Sequence, residues 1–324
     1  MTSAFQDLNA QIGAYETYDD ELYGVKAFFG FSLLRQDAKR TAEVRNATRA
    51  GCRRSRTRCP TRRIKTVRED IPVVIADVLA DFGQCRGTNT ATILPNDNDH
   101  ARRYGRIIVM RRNIMVDSVI TESARAAWRA ASPPAYAADF DPEETSSARC
   151  GTSWVTTSAS DRDRSGRPLA QALHEDADTF EEMKADLVSL FLGKELRARG
   201  YYTDQALHGL YASGAAHPAQ EPTPLRRGLR RDAADAVQLV AGARVARDRP
   251  GVAPAPHPLR PRHEAVGSLL EQVMAVQSAG DPEKAKAFIT RWTTWDARHD
   301  AIAAAMRATE TSRFRLVRYA ALGE

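Results

Sequence analysis

The stretch that decides the fold is HEDADTFEEMKADLVSLFLGKELRAR, which runs from His174 to Arg199. Its apolar residues recur at steps of three and four, so the stretch predicts one long amphipathic helix with a stripe that faces a core. The members of the stripe are Phe180, Met183, Leu187, Leu190 and Phe191.

Acidic residues occupy the neighbouring face of this predicted helix. Glu182 and Asp186 stand one turn apart, and Glu181 lies beside Glu182. Asp176 and Asp178 fall near the N-terminal end, where the helix dipole favours negative charge. By itself the pattern is typical of a solvated acidic face, because carboxylates are mostly exposed unless something pairs them.

Length and composition indicate a soluble globular protein. The 324 residues are enough for one large or two ordinary domains, and the apolar and charged fractions are ordinary for that class. No window approaches a membrane-spanning run, and the first residues show no secretory signal. Four cysteines without C-x-x-C spacing predict reduced thiols. We therefore expect a cytoplasmic protein that has no membrane partner.

The net charge of +6 is concentrated in two places. The stretch 45–68 has no acidic residue, and 226–262 is mostly Arg, Ala, Gly, Pro and Val. Neither stretch has an apolar period, so both predict loop or disorder. Outside them the chain is balanced or acidic, which makes the basicity a local property.

The remaining pattern predicts a mainly α protein with a few strands, an α+β fold. An apolar run within 10–30 predicts a helix, 71–83 predicts a buried strand or short helix, and Arg106–Met110 predicts a strand. Residues 118–131 predict a helix, and a second helix follows Arg199 and stops at Gly214.

From His263 the predicted order is helical again. The first helix of this part ends at Gly280, Asp281 caps the next, and a third follows. We expect five segments along the chain. They are an N-terminal helical segment at 1–40, an irregular Arg-rich segment at 41–68, a central region at 69–214, a linker or disordered segment at 215–262 and a C-terminal helical segment at 263–324.

Five ordered stretches of the chain together carry a family resemblance. They are GAYETYDDELYGVKAFF at 13–29, ILPNDNDHARRYGRIIVMRRNIM at 93–115, ADTFEEMKADLVSLFL at 177–192, VMAVQSAGDPEKAKAFI at 273–289 and RFRLVRYAALGE at 313–324. They resemble the bacterial branch of the dipeptidyl peptidase III family of zinc peptidases. The stretch on the central helix is similar to that family's second zinc motif, Glu-Glu-x-x-Ala followed by Asp or Glu.

The resemblance implies a two-lobed architecture with a helical metal-binding lobe, a peptide substrate and a Zn²⁺ cofactor. In the family, two histidines and a glutamate hold the metal, and a further glutamate activates the metal-bound water. By position, Glu182 would be the metal ligand, and Glu181 and Asp186 would orient ligand side chains. Asn96 matches an asparagine that holds the substrate backbone in the family. A second asparagine of the family, which acts with it, is replaced by Ile93 in this chain.

The chain departs from the family at the first zinc motif. Neither of its two His-Glu pairs, at His174 and at His263, is followed by a second histidine three residues later. The place of the motif is taken by GTSWVTTSAS, Gly151–Ser160. A back-translation of this decapeptide, read from its third base, encodes His-Glu-Leu-Gly-His-Tyr-Leu-Gly-Val. We therefore hypothesise that the reading frame slips here, as in 45–67 and 215–262, and that this chain is an inactive peptidase.

Two other classes stay open on sequence alone. The arginines of 45–68 are suited to nonspecific contact with nucleic-acid phosphates, although no aromatic residues interleave with them and no recognition motif accompanies them. We expect no specific nucleic-acid partner. A nudix-type nucleotide hydrolase is the other alternative, but the acidic helix lacks the glycine and the Arg-Glu pair of that motif.

Overall fold

The architecture is known from a computed structural model, in which the described residues form two compact units. The sheet unit takes in the described residues up to Arg49 and those from Val73 to Thr121. The helical unit takes in those from Glu122 to Thr309, together with 50–55. The structure describes residues 7–13, 30–55, 73–82, 90–94, 103–105, 107–132, 134, 137–140, 162–216, 259–292 and 297–309.

Among the described residues, five strands form one mixed sheet. The strand order is β1-β2-β3-β5-β4, in which β3 and β5 are parallel and every other neighbouring pair is antiparallel. The strands are β1 (Leu8–Gly13), β2 (Gly30–Gln36), β3 (Val73–Phe82), β4 (Ala91–Leu94) and β5 (Ile107–Arg111).

The central strands supply the core of the sheet unit. β3 and β5 are rich in β-branched residues, which fit a pleated surface that is covered on its faces. The prediction of a strand at Arg106–Met110 is confirmed by β5, and of the two alternatives for 71–83 the strand is correct. The buried apolar cluster comprises Leu34, Val74, Ala76, Val78, Val109 and Ile114.

A buried polar group crosses three of these strands. Arg111 on β5 donates from Nη1 to Asp81 Oδ2 at 2.8 Å and from Nη2 to Ser32 Oγ at 3.1 Å. Ser32 in turn donates to Asp81 Oδ1 at 2.6 Å. The pairing explains how an arginine and an aspartate can lie in the core, since a buried charge is tolerated when it is paired and hydrogen-bonded.

The sheet unit also contains the short helix α2 (Arg112–Met115) and the helix α1 (Ala38–Ser55) up to Arg49. Asp37 begins α1, because its Oδ1 accepts the backbone N–H of Arg40 at 2.9 Å. Arg45 donates from Nε to the carbonyl of Val73 at 3.0 Å, which joins α1 to the start of β3.

Two sequence predictions are wrong in this unit. The segment 1–40 was expected to be helical, but its described parts are mainly the strands β1 and β2, followed by the first residues of α1. Strands this short carry too little periodicity to be told from helix by sequence. The segment 41–68 was expected to be irregular, but α1 extends through it to Ser55. Alanine and arginine are good helix formers, so propensity forms this helix where no apolar period is present. The helix predicted within 10–30 falls largely outside the described residues.

The helical unit contains most of the remaining order. Its elements are α3 (Ser118–Ala131, which begins in the sheet unit), α4 (Leu169–Leu173), a 3₁₀ turn (His174–Asp176), α5 (Ala177–Ala198), α6 (Asp204–Ala216), α7 (Leu259–Ala279), α8 (Pro282–Trp292) and α9 (Ala297–Arg307).

Several helix predictions are confirmed in this unit. The bounds of α3 coincide with the predicted 118–131, and α7 ends where Gly280 adopts a φ of 59°. Asp281 caps α8, since its Oδ1 accepts the backbone N–H groups of Glu283 at 3.1 Å and Lys284 at 3.3 Å. These hydrogen bonds, that from Lys284 first, lower the pKa of the Asp281 carboxyl.

Helix bounds elsewhere differ by a few residues from those predicted. The central helix begins at Ala177, because His174 has a φ of 51° and the chain makes a 3₁₀ turn first. α6 continues past Gly214 to Ala216, and α7 begins at Leu259 instead of His263. Most of the predicted linker, 217–258, lies outside the described residues, and the five predicted segment boundaries stay predictions.

The three long helices α5, α6 and α7 pack through small residues. A Cβ atom on Gly193 of α5 would lie 2.6 Å from Leu210 Cδ2 and 2.9 Å from Leu207 Cδ1, both on α6. A Cβ atom on Gly267 of α7 would lie 3.3 Å from the ring of Phe191 on α5. Glycine is therefore the residue that permits the close approach of α6 to α5.

A short loop before α4 is organised by Asp163, whose side chain is 1% exposed. Its Oδ1 accepts hydrogen bonds from Ser165 N, Ser165 Oγ and Arg167 N at 2.7–2.9 Å, and its Oδ2 accepts from Arg167 Nε at 2.8 Å. Carboxylates that accept several hydrogen bonds favour the charged form. The Ser165 hydrogen bond, followed by those from Arg167, accordingly holds the pKa of Asp163 at about 2.

The same loop is attached to the C-terminal end of α7. Arg164 donates its backbone N–H to the carbonyl of Ser278 at 3.0 Å, and Arg167 donates from Nη2 to the carbonyl of Gly280 at 3.1 Å. Asp163 approaches Gly280 so closely that a Cβ there would meet Asp163 Oδ2. The loop thereby satisfies helix-end carbonyls that have no partner within α7.

The fold is mainly α with a five-stranded sheet, as predicted. Within the part of the chain that the structure describes, no helix combines the length and the apolarity needed to cross a membrane.

Candidate functional site

Helix α5 carries the acidic residues that were predicted as site residues. Its apolar stripe determines which side of the helix faces the core. Phe180, Met183, Leu187 and Leu190 are buried, whereas Phe191 is partly exposed. The ring of Phe180 packs 5.4 Å from the ring of Phe288 on α8, measured between centroids. The predicted periodicity is thus confirmed, and burial of this stripe fixes which side of α5 faces the core.

Glu181 forms a polar network between two helices. Its Oε1 accepts hydrogen bonds from Lys184 Nζ at 2.5 Å and from Gln277 Nε2 on α7 at 2.8 Å. The Lys184 side chain is 1% exposed, whereas that of Glu181 is 42% exposed. Because a buried ammonium needs a nearby carboxylate, Glu181 compensates the charge of Lys184 and joins α5 to α7.

Glu182 and Asp186 lie on α5 one turn apart, as their spacing predicted. Asp186 is exposed, and the Glu182 side chain lies outside what the structure describes. Metal contact by Glu182 and the orienting role of Asp186 therefore stay predictions. The orienting role of Glu181 also stays a prediction, beside its observed contacts with Lys184 and Gln277.

The predicted substrate residue Asn96 lies outside the described residues. The strand before it, β4, ends at Leu94 and pairs antiparallel with β5, with Ile93 opposite Ile108. The substrate role of Asn96 therefore stays a prediction.

The described histidines lie in separate surroundings. His174 is exposed in the 3₁₀ turn, His208 is buried on α6 with Nδ1 3.8 Å from Asp139 Oδ2, and His263 stacks on Phe191. None of them joins a metal-binding group: within the described ranges, no three His, Cys, Asp or Glu side chains are placed to hold one ion. The described residues do not fit a zinc site, which needs three or four ligands together.

Sequence reasoning missed the partners of Glu181. The spacing of Glu181 and Lys184 is that of a helical ion pair, which signals an exposed contact as readily as a buried one. Gln277 is 96 residues away in the chain, so no local pattern connects it with Glu181. Asp163 was missed too, although its neighbours Ser165 and Gly166 are typical of a turn closed by an aspartate side chain.

Comparisons with known proteins place the fold. No protein-family model matches the sequence, and no curated protein is significantly similar to it. Two solved structures are similar over 93% of this chain. One is DPP III from Caldithrix abyssi, with a TM-score of 0.73 and 16% sequence identity, and the other is dipeptidyl-peptidase III from Corallococcus sp. strain EGB, with a TM-score of 0.71 and 18% identity.

The likeness to these two structures concerns the fold alone. The chain spans 59% of the length of the Caldithrix protein and 57% of the length of the Corallococcus protein. The chain therefore has the fold of a large part of two bacterial dipeptidyl peptidases, at a sequence identity too low to transfer an activity.

Proposed function

We propose that this chain is a zinc-peptidase-type protein of the dipeptidyl peptidase III kind that no longer hydrolyses peptide bonds. The observation that carries the proposal is the fold likeness over 93% of the chain to two bacterial dipeptidyl peptidases. It is supported by the Glu-Glu-x-x-Ala-Asp sequence, which lies on one helix, α5. Two independent features, one of the backbone and one of the sequence, thus point to the same family.

In this proposal Glu182 is the remaining metal ligand, and Glu181 and Asp186 support it. The contacts of Glu181 with Lys184 and Gln277 fit a supporting role, because they hold this turn of α5 against α7. Asn96 would hold the backbone of a peptide, and the protein would be cytoplasmic. A single carboxylate is a poor site for Zn²⁺, whose affinity comes from several ligands acting together.

The loss of activity follows from the missing first zinc motif. The chain has two His-Glu pairs, and neither is followed by the second histidine. His174 lies in an exposed turn and His263 is stacked on Phe191, so the surroundings of these residues do not suit replacement ligands. The two histidines and the catalytic glutamate of the family therefore have no counterpart in this sequence.

The direct test is the zinc content of the purified full chain, measured together with hydrolysis of a dipeptidyl 2-naphthylamide. We expect far less than one zinc per chain, and no turnover above the reaction without protein. Stoichiometric zinc with turnover would show that the chain is an active peptidase and would overturn the proposed loss.

A restored variant tests the family assignment separately. Replacing Gly151–Ala159 by His-Glu-Leu-Gly-His-Tyr-Leu-Gly-Val should create a zinc site together with Glu182, so the variant should retain zinc through gel filtration. The matched control is the same variant with Glu182→Gln, which should lose the metal. Failure of the restored variant to take up zinc, or equal uptake by the control, would argue against Glu182 as a ligand. Sequencing the genomic locus tests the frame-slip hypothesis directly.

A further inference from the structure

Three helices of the helical unit meet at the imidazole of His263, which lies on α7. The ring is stacked on Phe191 of α5, with centroids 4.8 Å apart and planes inclined by 20°. Its Nδ1 atom lies 3.3 Å from the hydroxyl oxygen of Tyr211 on α6. One half-buried side chain on α7 thus contacts both α5 and α6.

The charged groups around this imidazole are few among the described residues. Lys194 comes from α5 and Glu264 from α7 itself, while α6 contributes the Tyr211 hydroxyl. Burial, followed by the positive charge of Lys194, lowers the pKa of His263 from its ordinary value of 6.5, and Glu264 opposes the shift. The surroundings therefore favour the neutral ring.

The geometry also distinguishes the two protonation states. A neutral imidazole that carries its proton on Nε2 accepts a hydrogen bond from Tyr211 at Nδ1. An imidazolium donates from both nitrogens, so that acceptor is lost and the hydroxyl has to turn. The added charge would be partly removed from water and would be repelled by Lys194, so the closed arrangement would bear the cost of desolvation and of like-charge repulsion.

The first turn after His263 shares this junction. Val266 packs against the apolar cluster that includes Leu190 of α5 and Leu210 of α6. Gly267 lies against the Phe191 ring. Because His263 and Val266 are one helical turn apart, the side chains that seat this part of α7 are neighbours on the helix.

We propose that His263 is a pH-responsive clamp, in which the neutral imidazole holds this turn of α7 against α5 and α6 and protonation releases it. The step is the uptake of one proton from solvent by the imidazole, with no other covalent bond made or broken. Since the closed form binds the proton less well than the open form, the stabilisation of the closed form is fully present above the ordinary pKa of 6.5 and weakens as the pH falls below it.

The test is amide hydrogen exchange of the full chain between about pH 8 and about pH 5, corrected for intrinsic exchange rates. We expect the opening equilibrium of the α7 turn at 263–267 to rise below about pH 6.5, by at most about tenfold per pH unit, the limit for one proton. The C-terminal half of α7 should keep its protection. A pH-independent opening equilibrium in the wild type would overturn the proposal.

Two variants assign the response to this ring. His263→Phe keeps an aromatic ring for the stack, and His263→Gln keeps a hydrogen-bond acceptor, and neither side chain titrates. Whichever of them folds should show no acid-induced opening, whereas His174→Gln, which alters an exposed histidine, should respond as the wild type does. Acid-induced opening that persists in a folded His263 variant would show that another group carries it, and the proposal would be wrong. This outcome does not depend on the proposed peptidase ancestry.

Discussion

The guanidinium of Arg111 lies 2.8 Å from the carboxylate of Asp81, and each of these side chains is only 2% exposed. The two residues belong to the parallel neighbours β5 and β3, and Ser32 of β2 donates to the same carboxylate. The charged pair and Ser32 therefore connect the three central strands of the sheet. Both charges lose their hydration when the protein folds. The pair therefore contributes to stability only while both charged groups are present, because either one alone would be a buried, uncompensated charge.

Removing one charge of this pair should be costly. We expect Asp81→Asn to lower the free energy of unfolding by about 3–5 kcal/mol, because Arg111 would keep a buried charge without a carboxylate. The measurement is urea unfolding at neutral pH. Removing both charges with Asp81→Leu and Arg111→Met should recover most of the loss, since apolar replacement of a whole buried pair is often neutral.

A neighbouring pair serves as the control for this experiment. Arg112 and Asp77 lie 3.6 Å apart with side chains 36% and 29% exposed. Arg112→Met should cost less than Asp81→Asn, because the side chains of Arg112 and Asp77 are both partly exposed, so water solvates part of the charge that is left. Similar losses at the two sites would mean that burial does not set the energy of the Arg111–Asp81 pair.

A second prediction concerns the network between α5 and α7. Glu181→Gln should destabilise the protein by about 1–3 kcal/mol, because the buried Lys184 would lose the carboxylate partner that Glu181 supplies. Lys184→Met should cost less, since it removes the charge and leaves a half-exposed carboxylate that water can solvate. Chemical denaturation of both variants decides the order, and a larger loss for Lys184→Met would contradict this account of the network.

The third prediction compares two glycines in the left-handed region. Gly200 has a φ of 77° with nothing within 4 Å of a would-be Cβ, so Gly200→Ala should cost about 1–2 kcal/mol. Gly280 has a φ of 59°, and a Cβ there would also meet the carboxylate of Asp163. Gly280→Ala should therefore cost more than Gly200→Ala in parallel urea unfolding. Equal losses of stability in the two variants would show that the Asp163 loop can move away from an added Cβ atom without a measurable free-energy cost.

The fourth prediction is a pH dependence at Asp163. Its pKa of about 2 lies below the ordinary value of 3.8, so the folded state binds fewer protons than the unfolded chain between these values. The stabilisation is full above pH 3.8 and is lost as the pH falls towards 2. Asp163→Asn should lose stability at neutral pH and show a flatter acid-unfolding curve than the wild type. Parallel curves for the two proteins would exclude a titrating role for this carboxylate.

The fifth prediction concerns the metal. Ligands that bind only the folded state raise its melting temperature, and their removal lowers it. If the chain has lost its zinc site, neither EDTA nor a stoichiometric addition of Zn²⁺ should change the melting temperature of the unaltered chain. The restored variant described above should be destabilised by EDTA. A lowering of the melting temperature of the unaltered chain by EDTA would indicate a resident structural metal.

The elements that were predictable from sequence are those for which all the deciding residues lie close together in the chain. The apolar period of α5, the bounds of α3 and the Asp281 cap each depend on residues within a few turns of one another. β1 and β2 were missed because they are short and form a sheet only by pairing with each other and with β3, which is distant in the chain. α1 was missed because it has no apolar period, although its alanine and arginine residues favour a helix.

The candidate site was predictable to a smaller extent. The sequence indicates which helix carries Glu181, Glu182 and Asp186, and the structure confirms that they share α5. It does not indicate that Lys184 is buried, because an i, i+3 ion pair forms equally well on an exposed face. Nor does it identify Gln277, since a contact between distant residues is decided by the packing of α7 on α5.

Gly193 has an evolutionary consequence. The hydrogen atom in place of a side chain lets Leu207 and Leu210 of α6 rest directly on the α5 backbone. In a homologue with alanine at this position, the two leucines would have to adopt other rotamers or α6 would have to shift outward. An alanine there should therefore be accompanied by smaller residues at the two leucine positions, a covariation that an alignment of homologues can test.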